Sequence, residues 1–191
     1  MVICVYGAAS KEIAEPFIEA GHALGFELAK RGHSLIFGGG DHGMMGAVAR
    51  GAHDGGGHIT GIQPSFFNVD GVLYERCDEY IYTDTMRERK QMMEDKSDAF
   101  IVTPGGVGTY EEFFEILTLK QLGRHRKPIV ILNTGGYFDP MLDMLQRAVD
   151  ERFINEKNLS LFYLTDDIQK ALDYVENPED TEISIETLRN L

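Results

Sequence analysis

Short apolar runs alternate along the chain with longer stretches whose apolar residues recur every three or four positions. Runs at 2–6, 34–37, 58–62, 79–83, 98–102, 128–132 and 159–163 have the length of strands. Several are too uniformly apolar to keep a water-facing side, as in a sheet covered on both faces. Residues 13–31 place Phe17, Ala20, Leu24, Leu28 and Arg31 at helical spacing, and residues 137–151 do the same with Met141, Met144, Leu145 and Ala148. Pro16 fits only the first turn of the former helix, and Gly32 ends it. A last helix is expected over residues 166–176. Strands alternating with helices predict a three-layer α/β fold with a mostly parallel sheet and helices on both faces. We expect one such domain over residues 1–176 and an acidic tail over 177–191.

Three strands run into small-residue turns. The most informative stretch is residues 103–123, TPGGVGTYEEFFEILTLKQLG. Pro104 stops the strand. Gly105, Gly106 and Gly108 let the backbone take positive φ and come close to a ligand. Thr109 is expected to N-cap a helix starting at Tyr110. Free N–H groups of that loop, with the positive helix end behind them, form an anion seat, most naturally for phosphate. Glu111 and Glu112 adjoin it. Thr109 and Glu112 also have capping-box spacing, which would give Glu112 a purely structural part. Three glycines, however, are more than a cap requires.

The second turn, GGGDHGMMGAVA over residues 38–49, lacks the Gly-Lys-Ser/Thr of a P-loop. Its small residues, Gly39 and Gly40 among them, suit close approach to a ligand or tight helix packing. The first turn, Gly7-Ala8-Ala9-Ser10, lacks the G-x-G-x-x-G of a dinucleotide site, and Ser10 reads equally as a ligand contact or an N-cap. All three turns follow strands, so they gather at the carboxyl edge of the sheet, where such folds bind ligands. After the strand at 79–83, Thr85 and Glu88 form another capping box. Met86, Arg89 and Met93 then share one helix face. An arginine on that stripe is partly buried and needs an anion, either Glu112 or a substrate phosphate, unless it snorkels. Lys90 is expected toward water.

Composition narrows the partners. With 191 residues, 43% apolar and 26% charged, the chain is an ordinary globular one. A net charge of −13 argues against a nucleic-acid polymer. A small anion can still bind where Arg87, Arg89 and Lys90 cluster. Arg124-His125-Arg126-Lys127 follows the helix stop at Gly123 and reads as a solvated basic end. No apolar run reaches membrane length and the first residues read as a strand, so a cytoplasmic protein is expected. Cys4 reads as a core residue, and Cys4 with Cys77 makes neither a metal spacing nor a disulfide framework. His42, His53 and His58 lack metal spacing and read as surface or loop residues. Residues 65–74, with Phe66, Phe67 and Val72, are either a mobile cover or a packed connection. Asn133-Thr134-Gly135-Gly136 is expected to add pocket wall.

The motif PGGVGTYEE, the run Met86-Arg87-Glu88-Arg89-Lys90 and the GGG…GMMGAVA…GG segment together resemble the Lonely Guy family. These are the cytokinin riboside 5′-monophosphate phosphoribohydrolases, often labelled lysine decarboxylases. The similarity spans residues 2–176. It implies a Rossmann-like fold, a homodimer and no cofactor or metal. The implied reaction is hydrolysis of the N-glycosidic bond of AMP or an N6-modified cytokinin nucleotide, giving free base and ribose 5-phosphate. Gly105, Gly106, Gly108 and Thr109 would hold the phosphate, and Glu112 would stabilise an oxocarbenium-like transition state or position water. Arg89 would orient Glu112 or the nucleotide, and Glu111 would contact sugar or base. Gly39, Gly40, Met86, Lys90 and Ser10 complete the implied substrate-binding set. Arg87 stands where the family usually has His, and Tyr6-Gly7-Ala8-Ala9 replaces a CGSS-like turn. The alternative is a non-enzymatic carrier of a phosphorylated ligand such as molybdenum cofactor, against which the Arg89–Glu112 pair argues. A true lysine decarboxylase needs a Schiff-base lysine, and Lys90 and Lys96 lack the context for one.

Overall fold

Seven strands form one sheet in the order β4-β3-β2-β1-β5-β6-β7, and every neighbouring pair is parallel. The computed structural model describes residues 1–67 and 72–178. In chain order the elements are β1 (Val2–Tyr6), α1 (Glu15–Lys30), β2 (Ser34–Phe37), α2 (Gly43–Asp54), β3 (Ile59–Pro64), β4 (Glu79–Thr83) and α3 (Met86–Lys96). They continue with β5 (Ala99–Val102), α4 (Val107–Gln121), β6 (Ile129–Leu132), α5 (Asp139–Asp150), β7 (Tyr163–Thr165) and α6 (Ile168–Glu176).

The uniformly apolar strands are those buried on both faces. Ile3 and Val5 join Leu35, Phe37, Ile101 and Leu132 under α1, α2 and α6. Cys4 and Tyr6 join Ile36, Phe100, Val102 and Ile131 under α3, α4 and α5. Cys4 is fully buried, and burial pushes its thiol up to about 12, as befits a core residue. Each alternate side chain thus enters a different core, and a slip of one residue would exchange the two sets.

The α1–α2 contact is backbone on backbone. A Cβ on Gly25 would lie 2.0 Å from the Val48 carbonyl oxygen, and one on Gly51 would lie 1.9 Å from that of His22. The chain steps outward from β1 to β4, then returns to place β5 on the other side of β1. That reversal opens a crevice beyond the carboxyl ends of β1 and β5. Thr103 ties its floor, donating from Oγ1 to the Tyr6 carbonyl at 2.8 Å.

Two sequence expectations are corrected here, and a third lies mostly outside the described residues. Residues 159–163 are not a strand: a 3-10 turn occupies Glu156–Leu161, started by Asn155, whose side chain accepts from the Lys157 N–H, and the strand follows as β7. The basic quartet is not uniformly solvated. His125 is buried, its Nε2 lies 2.8 Å from the Ile116 carbonyl, and burial lowers its pKa; Lys127 reaches the Glu94 carbonyl. The tail assigned to 177–191 lies, from residue 179, outside the described residues. Among the described residues no helix is long and apolar enough to cross a membrane.

Lys120, near the end of α4, is 5% exposed, and burial lowers its pKa to about 8. The unfolded chain then binds more protons than the folded one between about pH 8 and the ordinary 10.5. Stability should therefore rise with pH across that window. Lys120→Met should raise the melting temperature at pH 7, and the gain should shrink as pH rises through the window. Melting curves of both proteins at pH 7 and pH 10 check this.

Candidate active site

A cavity of about 490 Å³ opens at the carboxyl edge, within the range of small-molecule sites. Its walls come from the turn after β1 (Gly7, Ala8, Ala9, Ser10), from Gly38 and Gly40 after β2, and from Gln63 at the end of β3. The starts of α3 and α4 complete it with Met86, Arg89, Gly106, Gly108, Thr109, Glu111 and Glu112.

The helix beside it begins earlier than expected. Gly106, not Thr109, is the N-cap, and α4 starts at Val107. The ladder begins when the Tyr110 N–H donates to the Gly106 carbonyl at 3.1 Å. The N–H groups of Val107, Gly108 and Thr109 are therefore first-turn donors with no helical acceptor. Thr109 is buried in that turn, and the expected capping box with Glu112 does not form. Gly106 and Gly108 have nothing within 4 Å of where a Cβ would stand, so their backbone faces open space. Gly105 differs. A Cβ there would lie 2.0 Å from Thr109 Oγ1, and its carbonyl accepts from the Tyr137 hydroxyl at 2.6 Å. It shapes the loop from behind and is not part of the cavity wall.

Glu112 lies one turn further along α4, 8% exposed, with Oε1 accepting from Arg89 Nη1 at 2.8 Å. Arg89 also donates from Nε to the Ile62 carbonyl at 3.0 Å. Gly38 makes room for this guanidinium, since a Cβ there would stand 2.3 Å from Nη2. Burial pushes the Glu112 carboxyl above its ordinary range, while the charge and hydrogen bond of Arg89 pull the other way. The buried pair expected from the methionine-flanked arginine is thus present, with α3, α4 and β3 converging on it.

The other predicted residues divide. Lys90 is not solvated: its ammonium lies between Glu111 and Glu115, 2.7 Å from the latter, and does not line the cavity. Glu111 lines the cavity with its carboxylate engaged by Lys90. Gly40 faces the cavity, whereas Gly39, at φ +81°, turns toward Gln63 and Tyr80. Ser10 is an exposed rim residue accepting from the Glu12 N–H at 3.3 Å, and Ala14 is the N-cap of α1. Met86 is at the rim, 39% exposed. His42, read as a surface or loop residue, lines the cavity, as do Phe67 and Val72. Residues 68–71 of that loop lie outside the described residues. The turn at 133–136 adds no wall. Asn133 instead accepts from the Phe138 N–H at 2.7 Å, fixing the start of α5.

Gln63 and Tyr137 were not singled out from the sequence. The available signal for Gln63 was an amide in a strand whose six residues are all buried.

Residues 45–175 match the family model described as possible lysine decarboxylase. The chain is 43% identical over 154 residues to the cytokinin riboside 5′-monophosphate phosphoribohydrolase LOG of Oryza sativa subsp. japonica, covering 81% of this chain and 64% of the rice protein. It is 41% identical over 170 residues to the cytokinin riboside 5′-monophosphate phosphoribohydrolase of Mycobacterium tuberculosis, covering 89% of this chain and 90% of that one. The chain belongs to the Lonely Guy family. Its fold is shared more widely. The molybdenum cofactor binding protein of Rippkaea orientalis superposes with a TM-score of 0.71 at 21% identity, over 92% of this chain and 94% of that one. Within this Lonely Guy chain, Arg87 is exposed on the first turn of α3, away from the buried Arg89.

Proposed function

We propose that the protein hydrolyses the N-glycosidic bond of a nucleoside 5′-monophosphate, AMP or an N6-modified cytokinin nucleotide. The observation that carries this is the buried Glu112, held by Arg89 one helical turn beyond an open helix N-terminus. The amides of residues 107–109 hold the 5′-phosphate against the positive end of α4. That anchor orients the ribose with energy drawn from a group remote from the scissile bond. The anomeric carbon then lies toward Glu112, about 5 Å along the helix from the seat. As the bond to the base breaks, positive charge develops on the sugar and the carboxylate stabilises it, as in glycosidases. Water supplies hydroxyl to the anomeric carbon and a proton to the departing base. Arg89 fixes the carboxylate in place and favours its ionised form.

The protein works as a homodimer in this reading. Val107 and Met86, apolar and 87% and 39% exposed at the starts of α4 and α3, give the partner a surface beside the cavity. The two free cysteines suit a reducing, cytoplasmic setting. Purified protein incubated with AMP should release adenine and ribose 5-phosphate in equal amounts. Adenosine, which lacks the anchor, should react with kcat/KM about a hundredfold lower or less. A carrier of a phosphorylated ligand would bind AMP and release no base.

A further inference from the structure

One buried group in the cavity has no part in that scheme. Gln63 is 3% exposed, lines the cavity, and its Nε2 is sealed from water without a hydrogen-bond partner. A buried amide left in that state destabilises the fold. Its surroundings are nevertheless built around it. Gly39, at φ +81°, passes so close that a Cβ would stand 3.2 Å from Gln63 Oε1 and 3.2 Å from the Tyr80 ring. The Tyr80 hydroxyl donates toward the carbonyls of Gly39 at 3.1 Å and Tyr74 at 2.6 Å, locking both segments.

Position says what the amide faces. Three strand spacings separate the ends of β3 and β5 in the order β3-β2-β1-β5, about 14 Å in all. A ligand with its phosphate at α4 and its sugar at Glu112 has its base at the Gln63 end. Met45, Phe67 and Val72 line the cavity from segments following β2 and β3, and offer apolar surface to a flat ring. A glutamine amide complements the exocyclic amino group of adenine and the ring nitrogen beside it.

We propose that Gln63 accepts at Oε1 from the 6-amino group of the base while its Nε2 donates to the neighbouring ring nitrogen, and that the first of these bonds sets a preference for 6-aminopurine nucleotides. An N6-alkylated base keeps one N–H and is still accepted. The inference rests on the nucleotide reading above.

The test compares AMP with purine riboside 5′-monophosphate, which lacks only the amino group. Gln63→Met keeps the volume and removes the unpaired polar atom, so its melting temperature should not fall. The ratio of kcat/KM for AMP over the purine nucleotide should drop about tenfold or more in the variant, and inhibition by ribose 5-phosphate should stay unchanged. Gln63→Leu should give the same ratio. A ratio equal to that of the wild-type protein overturns the inference, as does a parallel loss of ribose 5-phosphate inhibition. Release of no base by the wild-type protein would instead refute the hydrolase reading. AMP is then stable in the cell of a calorimeter, and Gln63→Met must weaken its binding about tenfold relative to the purine nucleotide, or the inference fails too.

Discussion

Glu112→Gln should lower the release of base from a nucleoside 5′-monophosphate by about a hundredfold to a thousandfold, the usual effect of removing one charge-stabilising group from a site. The substitution keeps the side chain's size and leaves an oxygen to accept from Arg89 Nη1. What disappears is the negative charge that the proposed reaction sets against the sugar. Arg89 retains its bond to the Ile62 carbonyl but loses its counter-charge. We therefore expect a stability loss of about 1–3 kcal/mol, below that of deleting a buried ion-pair partner outright. Turnover measured alongside the melting temperature separates the two effects. A folded variant with wild-type turnover would remove Glu112 from the chemistry. The wild-type pH profile gives a second check. Burial raises the Glu112 pKa above the ordinary 4.5, so kcat/KM should be full above the raised value and decline as pH falls through it. In Glu112→Gln that acid limb should be absent.

Gly25→Ala should cause a large loss of stability from a single methyl group. The new Cβ would stand 2.0 Å from the Val48 carbonyl oxygen and 2.8 Å from the Ala52 nitrogen, both main-chain atoms of α2. Neither can turn away as a side chain would, so α1 and α2 must separate. Alanine favours a helix over glycine by about 1 kcal/mol, but overpacking against backbone outweighs that gain. We expect a net loss of about 3 kcal/mol, or roughly 10 °C in melting temperature for a chain of this size. Gly56→Ala, at φ +78° with nothing within 4 Å, is the control and should lose only about 1 kcal/mol of backbone strain. Thermal or urea melting of the two variants checks the contrast. Equal melting of Gly25→Ala and the wild-type protein would contradict the close crossing.

The alternation of apolar runs and helical stripes was legible because strands buried on both faces tolerate little else. The 105–109 loop was legible for a related reason: glycines after a strand mark backbone approach. Thr109 and Glu112 have the separation of a capping box, which left two readings of Glu112 open; the charge on the methionine stripe of α3 pointed to the pair that forms, Arg89 with Glu112, 23 residues apart in sequence. The start of α4 was misplaced because Gly106, with no side chain to cap with, serves as N-cap through its backbone alone. Lys90 was read as solvated because its anions, Glu111 and Glu115, lie on another helix. Gln63 escaped notice because one amide in a strand is unremarkable until its burial is known.

Tyr137 bears on how a ligand is met. Its hydroxyl crosses from the segment between β6 and α5 to grip the Gly105 carbonyl, while Thr109 packs against the same glycine from within. In the proposed reading, the turn that receives the phosphate is therefore shaped before the ligand arrives, which spares the cost of ordering it on binding. Under that reading the choice between bases is made at the far wall, where Gln63 stands.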